Sequence, residues 1–395
     1  MRVTQPDALQ TVEPDWLTAG FGLYLHWPFC AAKCPYCDFN SHVALRIDHA
    51  RWERAFQSEI DRVADELGDR LLHSVFFGGG TPSLMPPGMV ARILDRIAGR
   101  FRLRNDIEIT LEANPTSSDA GKFAAFASSG VNRISLGLQS LDDSALKKLG
   151  RLHSASEGLG AYEAARHSVK RVSFDLIYAR QDQSLEDWVA ELDAALALAP
   201  DHLSLYQLTI EDGTVFAERH RRGKLPGLPD EELAAVMYEH TLAACEKAGL
   251  AGYEVSNFAR PGMESVHNLI YWRSGDFAGI GPGAHGRLTL GDARFATSTM
   301  AAPGAWLAAV DSTGSGELPR EQVPVAEQAE ELLLMGLRLA EGIDPERYMR
   351  LAGQPLRKAS VDALIGSGHL WQREQRLGVT RSGRLVLDAV LAQLA

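Results

Sequence analysis

From residue 21 to about residue 260 the chain alternates short β-like runs with longer amphipathic stretches, and this alternation is its strongest constraint on fold. "FGLYLHW" (21–27), "SVFFGGG" (74–80), "DIEITLEANP" (106–115), "RISLGLQS" (133–140), "RVSFDLIYA" (171–179), "HLSLYQLTI" (202–210) and "GYEVSNFAR" (252–260) read as strands. Between them lie stretches with apolar residues at three- and four-residue spacing, among them 50–67, 87–101, 120–130, 185–199 and 231–249; the span 141–168 is helical with a break near Gly150. Strand–helix repetition of this kind implies parallel strands joined by right-handed helical crossovers. No dinucleotide fingerprint follows the first strand, so a full or partial (β/α) barrel is favoured over a doubly wound sheet. The expected architecture is a partial-barrel core over 21–302, preceded by a leader over 1–20. A Gly- and Pro-rich linker follows over 303–325, then a small winged-helix-like α+β domain over 326–395.

Polar residues punctuate one end of the strands. Cys30–Cys37 follow the first, Gly78–Thr81 end the second, Glu112 and Asn114 end the third, and Gln139 ends the fourth. Asp175 lies in the fifth, Gln207 and Thr209 at the sixth. In parallel barrels the site forms at the C-terminal strand ends, so these groups converge on one mouth.

Three of four cysteines fall in "CAAKCPYC", as Cys30, Cys34 and Cys37. Four cysteines in 395 residues are too few for a disulfide scaffold, and clustered thiols in a reducing compartment point to metal or redox chemistry. Structural zinc would need a fourth ligand, for which His26 or His42 is available. An iron–sulfur cube on three thiolates would keep one iron open. Cys245, within an amphipathic stretch, reads as a buried small apolar residue. A net charge of −11 argues against a nucleic-acid partner. The first twenty residues carry Asp7, Glu13 and Asp15 and no apolar segment of the secretory type, and no apolar run reaches membrane-spanning length, so the cytoplasm is the expected compartment.

The CxxxCxxC spacing after a first strand resembles the radical S-adenosylmethionine (SAM) superfamily. With "FFGGGTPSL", "LEANPTS", "LSLYQLTIEDGT" and "GIGPGAHG" it resembles, within that superfamily, the branch of oxygen-independent coproporphyrinogen III oxidase and the HemW-type haem chaperones. The resemblance implies a [4Fe–4S] cluster on Cys30, Cys34 and Cys37, whose open iron takes the amino and carboxylate groups of SAM. A reduced cluster of this family delivers an electron to the sulfonium and releases a 5′-deoxyadenosyl radical. It also implies a SAM pocket from Tyr24, Tyr36, Gly79, Gly80, Thr81, Glu112, Gln139, Arg151, Asp175, Thr209, Ala284 and His285. Glu112 suits the SAM ammonium, Asp175 the ribose hydroxyls, and the glycines a close backbone approach.

Two features depart from the oxidase. Phe39 stands where its pattern carries a further cysteine, and the leader is short. "HNLIYW" matches the chaperone branch, which implies haem contact through His267, Asn268, Tyr271 and Trp272. Read without the resemblance, His267 and Asn268 are loop residues bonded to backbone, and Tyr271 and Trp272 are core. The chaperone reading implies haem as cargo, a reductant protein, and acceptor haem proteins such as membrane-associated respiratory enzymes. The alternative is the oxidase itself, a radical dehydrogenase making protoporphyrinogen IX.

Overall fold

The structure, a computed structural model, describes residues 16–115 and 120–394. Six strands, β1 (Phe21–Trp27), β2 (Leu71–Gly79), β3 (Arg102–Ala113), β4 (Arg133–Gln139), β5 (Arg171–Tyr178) and β6 (His202–Gln207), lie side by side in chain order, all parallel. A seventh parallel strand, β7 (Asp276–Ile280), joins the free side of β1 and is extended by the antiparallel β8 (His285–Leu290) and β9 (Ala293–Ser298). Helices such as His49–Leu67, Pro87–Arg100 and Leu185–Ala197 cover the outer face; Trp52, Ile93 and Trp188 are buried there. The strand order has two distinct ends, with no pairing among the described residues that joins them, so the barrel is partial.

The expected strand over 252–260 is broken in two. Ala251–Gly252 and Asn257–Ala259 fold back on each other antiparallel, and the second pairs antiparallel with β6. Glu254 causes the reversal: its carboxylate accepts from Ser256 N at 2.8 Å and from Asn257 Nδ2 at 2.7 Å.

The expected linker over 303–325 is instead largely structured. Pro303–Thr313 is a helix, with proline in its first turn and Gly314 in the left-handed conformation just past its end. Trp306 is fully buried and stacks on Trp52, ring centroids 5.4 Å apart. This segment therefore belongs to the main core. The expected leader over 1–20 lies mostly outside the described residues.

A second hydrophobic core forms from Leu332 onward. It gathers helices Val325–Gly336, Pro345–Ala352, Lys358–Gly366 and Leu387–Leu394 around the antiparallel hairpin Leu370–Arg373/Arg376–Val379. Among the described residues no helix is long and apolar enough to cross a membrane.

Candidate functional site

The cysteine loop leaves β1 and is fastened at several points. Thr81 N donates to Phe29 O at 2.8 Å, Gly80 N to Trp27 O at 2.7 Å, and Phe216 N to Pro35 O at 2.9 Å. Glycines make this seating possible. A side-chain carbon on Gly80 would lie 2.7 Å from the Phe29 carbonyl oxygen, and one on Gly150 would lie 2.6 Å from Pro35 Cδ. Gly79 has φ +108°, and a side-chain carbon there would strike the His26 ring. Gly79 and Gly80, expected to allow ligand approach, line the cavity and also make room for His26 and the cysteine loop.

Cys30, Cys34 and Cys37 line one cavity with Tyr36, Gly79, Gly80, Thr81, Glu112, Gln139, Arg151 and Asp175. Thr81 Oγ1 donates to Cys30 Sγ at 3.4 Å. Arg151 Nη1 donates to Cys34 Sγ at 3.5 Å, its Nη2 being anchored on Gly137 O at 2.7 Å. Burial pushes the Cys30 and Cys37 thiols up, so thiolates here need a cationic centre. Three thiols lining one cavity can each take a different iron of a polynuclear cluster.

Two carboxyl groups face the thiols. Burial, reinforced by Asp175, pushes Glu112 up to about 8, although Gly79 N donates to its Oε2 at 3.2 Å. Burial pushes Asp175 up to about 6. Two half-buried carboxyls in one cavity are suited to a cation and to hydroxyl donors. Gln139 holds φ +69°, uncommon outside glycine, at the end of β4, and turns into this cavity.

Other expected SAM positions lie outside the cavity lining. Tyr24 bonds through its hydroxyl to His26 Nδ1 at 3.1 Å and stacks on Phe76 and His267 within the barrel. Thr209 is exposed beyond β6. Ala284 is buried with its N–H on Thr299 Oγ1 at 3.0 Å, and the neighbouring His285 is exposed. The sequence reading missed Ser41, Ser135 and Gly137, which line the cavity. The signal for two of them was present: Ser135, Gly137 and Gln139 alternate along β4 and share one face.

"HNLIYW" forms the helix Val266–Trp272, capped by Ser265, whose side chain accepts from Asn268 N at 3.3 Å. His267, expected to contact haem, lies inside the barrel in this structure. It is 1% exposed, its Nδ1 bonds Ser74 Oγ at 2.7 Å, its Nε2 bonds the Tyr271 hydroxyl, and burial pushes it down to about 3. Both nitrogens are engaged inside the barrel, so the residues do not fit axial ligation. Tyr271 packs edge-on against Phe277, while Trp272 reaches a separate crevice under the Arg338 guanidinium, 4.7 Å away.

Residues 24–195 match the model of the radical SAM superfamily, and 323–386 match the HemN C-terminal domain. The chain is 42% identical to the mitochondrial radical S-adenosyl methionine domain-containing protein 1 of Bos taurus, covering 94% of this chain and 86% of that protein. It is 38% identical to the heme chaperone HemW of Mycobacterium tuberculosis (95% and 94%) and 35% identical to that of Escherichia coli (93% and 96%). The coproporphyrinogen III oxidase HemN of Escherichia coli shares the fold, with a TM-score of 0.79 at 20% identity over 95% of this chain and 90% of that one. A cavity of three cysteines at the strand ends, a HemN-type second core and near-full-length relatives agree: the chain belongs to the radical SAM superfamily, in the HemW-type group.

Proposed function

We propose that the protein is a haem chaperone that holds a [4Fe–4S] cluster on Cys30, Cys34 and Cys37, binds SAM beside it, and passes haem to acceptor haem proteins in the cytoplasm. The observation that carries this reading is similarity to HemW at 35–38% identity along 93–95% of the chain, both cores included. Phe39 supports it locally: it lines the cluster cavity where the oxidase pattern has a cysteine. Bound in this cavity, cluster and SAM supply one-electron chemistry at a sulfonium. The chain's own residues do the rest. Glu112 holds the ammonium, Asp175 the ribose hydroxyls, and Gln139 closes the wall between them. Arg151 steadies the Cys34 thiolate, and half-buried Tyr36 covers the cluster loop.

The test has two parts. Anaerobically reconstituted protein should contain about four iron and four sulfide per chain, and Cys34→Ser should lose most of both while Cys245→Ser does not. Incubation with coproporphyrinogen III, SAM and a reductant should yield no protoporphyrinogen IX, while haem titration saturates near one per chain. Turnover to protoporphyrinogen IX would replace the chaperone by the oxidase.

A further inference from the structure

If haem is the cargo and His267 is sealed inside the barrel, the molecule must offer another place for a porphyrin. A crevice of about 570 Å³ lies between the Val266–Trp272 helix and the second core, within the range of roughly 300–1,000 Å³ typical of small-molecule sites. Its apolar wall includes Trp272, Leu339, Ile343 and Leu351. Arg273, Arg350 and Arg376 face it, opposed by Glu341 and Asp344. Glu341 is shared by Arg273 at 2.8 Å and Arg376 at 3.2 Å, while Arg350 stands 3.9 Å from Asp344 and is half exposed. In a chain of net charge −11, a cavity where guanidinium outnumbers carboxylate is a local attractor for anions.

An apolar wall carrying Trp272 and an arginine rim together suit an amphipathic, carboxylate-bearing aromatic ligand. Guanidinium groups pair with carboxylates bidentately and also stack on π-faces. We propose that this crevice is the porphyrin site, gripping the macrocycle on Trp272 and the Leu339–Ile343 wall and its propionates on Arg350 and Arg376. The proposal rests on the haem-chaperone reading and gives it a location. Among the described lining residues there is no His, Cys, Met or Tyr. The porphyrin is therefore held by its face and edge, and the iron is left for an acceptor's ligands, which suits a carrier that must release its cargo. The crevice borders Thr18, Ala19 and Arg273, at the N-terminal ends of β1 and β7; the cysteines follow the C-terminal end of β1. A seven-residue strand, about 20 Å long, separates cargo from cluster.

The test uses the full-length protein and three probes: haem, iron-free protoporphyrin IX and its dimethyl ester. Protoporphyrin IX should compete with haem within threefold, because iron is not the handle. The dimethyl ester should bind at least tenfold more weakly, because the carboxylates are. Arg350→Glu should weaken haem at least tenfold, with Arg350→Lys recovering part of the loss, and Trp272→Ala should weaken it comparably. His267→Gln should leave it within threefold, provided its circular dichroism matches the parent. Equal binding of the ester, or unchanged affinity in both Arg350→Glu and Trp272→Ala, would overturn the crevice while leaving the chaperone reading standing. A tenfold loss in folded His267→Gln would return the iron to that residue. A parent that binds no porphyrin would sink both.

Discussion

At the scale of single residues, Gly79 at the end of β2, Gly80 just after it and the two carboxyls opposite the thiols carry the site. Gly80 has no spare room, because the obstacle to a side chain is the Phe29 backbone rather than a movable side chain. Gly80→Ala should therefore push the cysteine loop outward, costing about 1–3 kcal/mol and lowering iron and sulfide content below half of the parent's. Gly160, inside the helix Ala155–Ser168 with nothing within 4 Å of a side-chain carbon, is the control: Gly160→Ala should stabilise by about 0.5–1 kcal/mol. Equal cluster content in Gly80→Ala and parent would refute this role.

Glu112 carries a pH signature. Its carboxyl titrates near 8 in the fold against an ordinary 4.5, so the folded protein holds a proton that the unfolded chain has released. Stability of the SAM-free protein should then fall as pH rises from about 4.5 to 8 and stay lowered above it. Asp175 adds the same sign between its ordinary 3.8 and about 6. Glu112→Gln removes one of these groups. Its urea midpoint should fall less than the parent's between pH 5 and pH 8.5, while SAM affinity drops at least tenfold, about 1.4 kcal/mol, by loss of a charge-assisted bond. An identical pH dependence in parent and variant would show that Glu112 is ionised throughout.

At the scale of elements, legibility followed periodicity. The parallel strands and their helices announce themselves by alternating and 3.6-residue patterns, and the cysteine motif by its spacing. The segment 303–325 failed this test for a physical reason. Its Pro, Gly and Ala residues look like breakers or fillers, yet Pro303 and Gly314 are the two ends of a helix, and one Trp fixes it to the core. The "HNLIYW" helix failed differently. A motif shows which residues recur together; it does not show that His267 turns inward to Ser74 while Trp272 turns outward to the crevice. For Pro303–Thr313 the prediction is direct. Trp306→Ala should destabilise by about 3–5 kcal/mol, read by denaturant midpoint, because it leaves a void between Trp52 and Phe56. A cost under 1 kcal/mol would mean that the helix is merely laid on the surface.

At the scale of the whole molecule, two cores meet through a seam in which Val255 packs against both and several polar contacts flank it. Arg287 pairs with Glu331 at 2.8 Å and Arg273 with Glu341 at 2.8 Å, and Ala340 N donates to Tyr253 O at 2.9 Å. A seam with one shared hydrophobic residue and mainly polar contacts between units with separate cores permits independent opening. In the proposed cavity SAM would touch only the first core, at the strand ends. At a hundred times its dissociation constant it should stabilise that core by about 2.7 kcal/mol. Hydrogen exchange should then slow in β4 and β5, where Gln139 and Asp175 sit, and stay unchanged in the hairpin Leu370–Arg373/Arg376–Val379. A porphyrin in the crevice, against Leu332, Ile343 and Leu351 of the second core, should slow exchange in the hairpin, since Arg376 lies in it. Equal protection of the hairpin by SAM alone would mean that the seam locks the two cores into one cooperative unit.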